Sequence, residues 1–174
     1  MKTEEILKEN SENSDKNSKN EKNNKEERVL ILIKPDGLIK SLTGNIISKL
    51  SETNLRIVGA KIVNVSRELA EKHYWHLKEK NPKIFQETVK YIMGEFHTPR
   101  VFAMVYKGEK AVQKIRQIVG KTNPEEAHPT TIRGKYGRIN SKTGVFENVI
   151  HASDSIENAE KEISLWFKEE EIVD

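Results

Sequence analysis

One run of residues limits the folds open to this chain more than any other: Arg28-Val29-Leu30-Ile31-Leu32-Ile33, closed at once by Lys34-Pro35-Asp36-Gly37. A short continuous apolar run ending in turn residues is the pattern of a strand buried in a sheet. Other elements follow along the chain. Thr43 to Asn54 places Ile46, Ile47 and Leu50 on one helical face. Leu55 to Val65 is rich in Val and Ile and alternates in part, which predicts a second strand. Ser66 is placed to cap a helix through about Glu79, and a further helix follows Pro82, from about Lys83 to Ile92. Arg100 to Tyr106 predicts a third strand, and Gly108 to Val119 a helix that Gly120 ends. Val145 to Ile150 predicts a fourth strand. Asp154 to Phe167 predicts a last helix, with Asp154 and Glu157 as a capping-box-like start. Without the extra helix the order is βαββαβ, an α+β, ferredoxin-like antiparallel sheet with helices packed on it.

Composition divides the chain in two. Residues 1–27 are nearly all Lys, Glu, Asn and Ser, with six lysines against eight acidic residues. Such a segment buries too little apolar surface to offset its ordering entropy, so it is expected to be a disordered tail, with the folded domain at 28–174. The tail carries −2 of the chain's net +3, which leaves +5 on the domain. That excess suits an anionic ligand but does not by itself argue for nucleic acid. The chain has no cysteine, which excludes disulfides and thiolate metal sites. No stretch approaches a membrane span, and no secretory signal is visible, so a cytoplasmic enzyme is expected.

The chemistry concentrates in Asn148-Val149-Ile150-His151-Ala152-Ser153-Asp154-Ser155. His151 lies where a strand ends and a helix begins, among small residues that let a ligand approach. Glu162 follows Asp154 by about two helical turns, near enough to reach back to a ring nitrogen and hold the tautomer. An imidazole held in that way is a competent nucleophile toward phosphorus. Lys34, Arg116 and Arg133, with Thr122, are spread along the chain, and a triphosphate needs several such cations at once. The segment Lys121 to Gly144, rich in Pro, Gly, Thr and Asn, is long enough to expect a functional loop. His73 and His76 are spaced as a pair on one helix, but no third metal ligand stands at a supporting distance in sequence.

Five blocks carry a family resemblance: Ile33-Lys34-Pro35-Asp36-Gly37, His73-Tyr74, Gly120-Lys121-Thr122-Asn123-Pro124, Thr131-Ile132-Arg133-Gly134, and the segment around His151. In this order and spacing the chain resembles a nucleoside diphosphate kinase over Arg28 to Asp174. The resemblance implies a ping-pong transfer of the terminal phosphate of a nucleoside triphosphate, typically ATP, to a nucleoside diphosphate through a phosphorylated His151. It implies that Lys34 contacts the phosphates and the sugar hydroxyl, and that Tyr74 bonds near the histidine. Arg116, Thr122 and Arg133 would hold phosphate oxygens, and Asn148 would contact the ribose. Glu162 would orient His151 with Ser153 linked to it. Asp154 would lie near a Mg2+ that travels with the nucleotide, through water. A homo-oligomer, tetramer or hexamer, is implied as well.

The chain departs from the family pattern at several points. Ile84 stands where the base normally stacks on an aromatic ring; either it forms an aliphatic platform or the neighbouring Phe85 takes the place. Stacking weaker by about 1 kcal/mol is expected. Val145 matches the apolar residue on the base's other side. Lys135 replaces an Asp after Gly134, Pro129-Thr130 replaces a Pro-Gly step, and Tyr136 to Phe146 is lengthened. Glu147 stands where a basic residue is common. These changes leave two alternatives to the enzyme: a nucleotide-responsive module without transfer activity, or a nucleic-acid binder using the basic loop around Lys135 and Arg138.

Overall fold

The computed structural model describes residues 25–174. The expected tail lies outside the described residues as far as Asn24, and its proposed end is corrected: Glu26 and Glu27 belong to the first strand.

The elements run β1 (Glu26–Ile33), α1 (Pro35–Ile39), α2 (Thr43–Ser51), β2 (Arg56–Asn64), α3 (Arg67–His73), α4 (Trp75–Lys80), α5 (Pro82–Ile92), β3 (Arg100–Glu109), α6 (Ala111–Val119), α7 (Ile132–Tyr136), β4 (Arg138–Ile139), β5 (Phe146–Glu147), β6 (Ile150–Ala152) and α8 (Ile156–Trp166). The main sheet has the order β2-β3-β1-β6, antiparallel at every pairing, and β4 with β5 forms a separate two-stranded ribbon. This is the ferredoxin-like α+β arrangement.

The apolar run is explained by the position of β1. Val29, Ile31 and Ile33 pack on one face against Ile46 and Leu50 of α2 and Ile115 and Val119 of α6. Leu30 and Leu32 pack on the other face with Ala70, Phe85, Val89, Ile163 and Trp166. All five strand residues are fully buried. At about 1.5–3 kcal/mol each, they contribute on the order of 10 kcal/mol of burial before ordering entropy is counted.

The structure corrects four local expectations. The helix predicted from Ser66 to Glu79 is interrupted at Tyr74, which lies between α3 and α4. α6 starts at Ala111, because β3 continues to Glu109 and Lys110 takes a left-handed conformation. The cap of α8 is Ser155, whose hydroxyl accepts from Asn158 N; Asp154 takes the Asn158 side chain instead. Val145 to Ile150 is not one strand. Val149 has φ +58°, and Ile150 N donates to Asn148 O at 2.7 Å, a three-residue turn that breaks the extended backbone. The chain before the turn pairs with β4 and the chain after it with β1. The long loop contains α7, capped by Thr131, which accepts from Gly134 N.

Candidate active site

His151 lies in β6 opposite Leu32 of β1. Its strand neighbours Ile150 and Ala152 enter the core on the α2–α6 face, so the strand's alternation turns His151 to the opposite side. There its ring meets that of His73 edge-on at 4.5 Å. Nε2 of His151 is 2.9 Å from Oε2 of Glu162 on α8, and the same carboxylate oxygen accepts from Ser153 Oγ at 2.6 Å. Ser153 Oγ in turn accepts from Leu30 N, which ties Glu162 to the central strand. Nε2 therefore carries the proton, and the lone pair of His151 is on Nδ1. Burial, then Lys34 and Arg133 nearby, hold the imidazole pKa well below its ordinary value, so the ring is neutral at pH 7. Burial raises the pKa of Glu162, and the Ser153 hydrogen bond opposes that rise.

A second group lies at the end of β1. Lys34 Nζ donates to Asn148 Oδ1 at 2.8 Å, and Asn148 Nδ2 donates to the Thr122 carbonyl at 2.8 Å. Lys34 and Asn148 are buried, and Lys34 Nζ lies 5.4 Å from the centre of the Tyr91 ring. Burial and the charge of Arg133 push the Lys34 ammonium down to about 7, with Asp36 opposing them. Arg133 is buried as well. Its Nε and Nη2 donate to Ile150 O, and its Nη1 donates to Gly120 O. Of the five guanidinium N–H donors, two have no hydrogen-bond partner among the described residues. Burial, with Arg116 nearby, lowers the Arg133 pKa to about 10.

The turn before the histidine is held by residues that the sequence reading passed over. Asp36 is completely buried and accepts from Tyr91 Oη and from Val149 N. Val149 O accepts from Lys34 N at 2.9 Å, and Gly37 lies so close that an added Cβ would stand 2.9 Å from the same carbonyl. A β-branched residue at positive φ costs on the order of 1–3 kcal/mol and persists only where its surroundings hold it. The sequence signal was available in part, as an acidic residue three positions after the buried strand.

The remaining candidates are placed as follows. Tyr74 is buried beside His73, its hydroxyl without a hydrogen-bond partner among the described residues, and burial raises its pKa. Arg116, Asp154, Gly120 and Ser155 line an open cleft of about 750 Å³ that does not include His151 or Lys34. Asp154 is held below its usual range by the Asn158 hydrogen bond and by Arg116. Ile84 is half-exposed on α5, whereas Phe85 is core, so Phe85 is not free to take the stacking position. Val145 is buried.

His73, His151 and Glu162 place ligand atoms within 4.8 Å of one another. Trp166 Nε1, which can only donate, bonds to His73 Nδ1 at 3.2 Å, so His73 Nε2 carries a proton. The Nε2 proton of His151 faces Glu162. These nitrogens do not offer converging lone pairs, and a hard cation such as Mg2+ prefers oxygen. His76 is exposed and does not join the group.

A neutral nucleophilic nitrogen with buried cations beside it is suited to phosphoryl transfer. Comparison with known proteins gives the class a family. A family model described as nucleoside diphosphate kinase matches residues 27–172. A nucleoside diphosphate kinase of Pyrococcus furiosus is 47% identical over 146 residues, 84% of this chain and 86% of the relative. One from Macrococcus caseolyticus is 44% identical over 147 residues, 84% and 92% of the two chains. Among solved structures, the Borrelia burgdorferi enzyme, a transition-state mimic with bound vanadate and ADP, superposes with a TM-score of 0.78 at 32% identity, covering 86% of this chain and 91% of that one. The Halobacterium salinarum enzyme in complex with CDP gives 0.74 at 37%, covering 86% and 93%. The chain belongs to the nucleoside diphosphate kinase family. It is accordingly an enzyme, a phosphotransferase. Among the described residues no helix is long and apolar enough to cross a membrane.

Proposed function

We propose that this chain moves the terminal phosphate of a nucleoside triphosphate, typically ATP, to a nucleoside diphosphate in two half-reactions through a phosphorylated His151. The observation that carries the reading is the Nε2–Glu162 bond at 2.9 Å, which leaves the lone pair on Nδ1. In the first half-reaction Nδ1 attacks the terminal phosphorus. An N–P bond forms, the P–O bond to the β-phosphate breaks, and the diphosphate leaves with the electron pair. In the second, a terminal oxygen of the acceptor diphosphate attacks the same phosphorus, and the N–P electrons return to Nδ1. No proton needs to move, because Nε2–H stays on the ring and its bond to Glu162 strengthens as the ring gains positive charge.

The roles of the other residues belong to the same proposal. Arg133, with two donors to spare, Arg116 and Thr122 take phosphate oxygens, and Tyr74 donates near His151. Among the described residues Lys34 commits one of its three ammonium protons, to Asn148. Asn148 keeps one donor and one acceptor position, so both can meet phosphate or sugar hydroxyl. Ile84 and Val145 flank the base. Asp154, an exposed carboxylate beside Arg116, offers the hard oxygen suited to Mg2+ and would meet it through water. The ion would neutralise charge on the phosphates it travels with. A homo-oligomer, tetramer or hexamer, working on the cytoplasmic nucleotide pool completes the proposal. The outward Ile57 and Ile62 on the edge strand β2 suit a covered surface. Protein incubated with terminally labelled ATP and Mg2+ is expected to form an acid-labile phosphoenzyme. A His151→Ala variant that labels equally well would contradict the mechanism.

A further inference from the structure

The ribbon of β4 and β5 supplies no group to the reacting atoms, yet it ends on a buried carboxylate immediately before Asn148. Glu147 is 1% exposed. Its Oε1 accepts from Asn140 Nδ2 at 2.8 Å and lies 3.1 Å from His97 Nε2, and its Oε2 accepts from Arg138 Nε at 2.6 Å. Burial opposes its ionisation, but the bonds from Asn140, Arg138 and His97 outweigh burial, and its pKa lies below the ordinary value. An isolated carboxylate at such a depth would be too costly to keep. Three donors from two segments, the ribbon and the loop after α5, make it an anchor.

The anchored stretch is short. Asn148 follows Glu147 directly, and Val149, held by Asp36, follows Asn148. An added Cβ on Gly137, just before β4, would stand 3.2 Å from Asn148 Cα, so the ribbon's first turn also packs against that residue. The His97 ring contacts the Tyr91 ring edge-on at 6.3 Å, and Tyr91 bonds to Asp36. One connected set of contacts therefore grips Asn148 from both sides along the chain.

We propose that Glu147, with the ribbon it anchors, is a positioning residue that fixes Asn148 for the nucleotide sugar and so sets how far the enzyme depends on the sugar hydroxyls. The proposal rests on the reading above that Asn148 and Lys34 meet that sugar. Without the anchor, the backbone on one side of Asn148 is released while His151, Glu162 and Ser153, held through β1 and α8, stay in place. The loss falls on sugar recognition and not on the chemical step.

The test compares ADP with 2′,3′-dideoxy-ADP as acceptor, with GTP as donor, in the full chain. Glu147→Gln is expected to raise KM for ADP by roughly five- to ten-fold with little change in kcat, and to alter the dideoxy acceptor by less than about two-fold. The preference for ADP shrinks by the ratio of the two changes. A purely structural role would lower both acceptors together, and that result, or no change in either, overturns the proposal. Should Glu147→Gln fail to fold, Arg138→Ala, at an exposed side chain, is read in the same assay, with a smaller effect in the same direction expected and an equal loss on both acceptors overturning it. Asn148→Ala separates the two readings. If it keeps the full preference for ADP, the sugar contact itself is wrong. If it loses that preference while the Glu147 and Arg138 variants do not, only the role of the ribbon falls.

Discussion

His151 and Asn148 are three residues apart and are held in opposite ways. His151 sits on a regular strand and takes its orientation from one side chain, Glu162, itself fixed by Ser153 and β1. Asn148 sits in irregular backbone before a left-handed valine, and its setting draws on Lys34, Asp36, Tyr91, His97, Thr122 and Glu147. The nucleophile depends on a short chain of bonds to a helix packed on the sheet, whereas the nucleotide-facing side depends on contacts far apart in sequence. Damage to the first should therefore appear in kcat, and damage to the second in KM or stability.

The sharpest way to break this division is at Glu162. Glu162→Gln replaces the anionic acceptor that holds the proton on Nε2 with a neutral amide, and kcat is expected to fall on the order of 10²-fold with KM nearly unchanged in steady-state assays. A rise in KM instead would dissolve the contrast. Next in size is Tyr91→Phe, which strips a donor from the buried Asp36 at the valine turn. Thermal unfolding should show a loss of about 2 kcal/mol, with phosphorylation of His151 by saturating ATP still proceeding. A third effect concerns charge. With its pKa pushed down to about 7, Lys34 is cationic below that pH and neutral above it, so nucleotide KM is expected to rise toward ten-fold per pH unit above about 7. His151, held neutral, should impose no loss in kcat until the pH is well below 6.5. A KM independent of pH from 6 to 9 would show that the Lys34 charge does not contribute. The smallest effect is expected at the base: Ile84→Phe should lower nucleotide KM about five-fold, near 1 kcal/mol, if the half-exposed position on α5 meets the ring.

The same contrast marks how much could be read from the chain. β1 was legible because burial on both faces leaves an uninterrupted apolar run, and α2, α6 and α8 were legible because each shows one apolar face. The pairing of β5 was not. Whether Val145 to Ile150 continues as one strand depends on Asp36 and Lys34, more than a hundred residues away, which hold Val149 in a conformation its own sequence disfavours. Likewise His151, Glu162 and Ser153 could be linked by short spacing and family pattern. Asp36 looked like a turn residue, Tyr91 and His97 carried no local signal, and Glu147 showed only as an acid within Val145-Phe146-Glu147-Asn148-Val149-Ile150. A buried carboxylate gains its role from partners that the fold brings to it, and those partners are not periodic in sequence.

The central claim is that Glu162 holds Nε2 and leaves Nδ1 to take the phosphate. Phosphorus NMR of the denatured phosphoenzyme, compared with the two phosphohistidine isomers, tests it directly. Phosphate on Nδ1 of His151 is the expected result; phosphate on Nε2, or on any other residue, would contradict it.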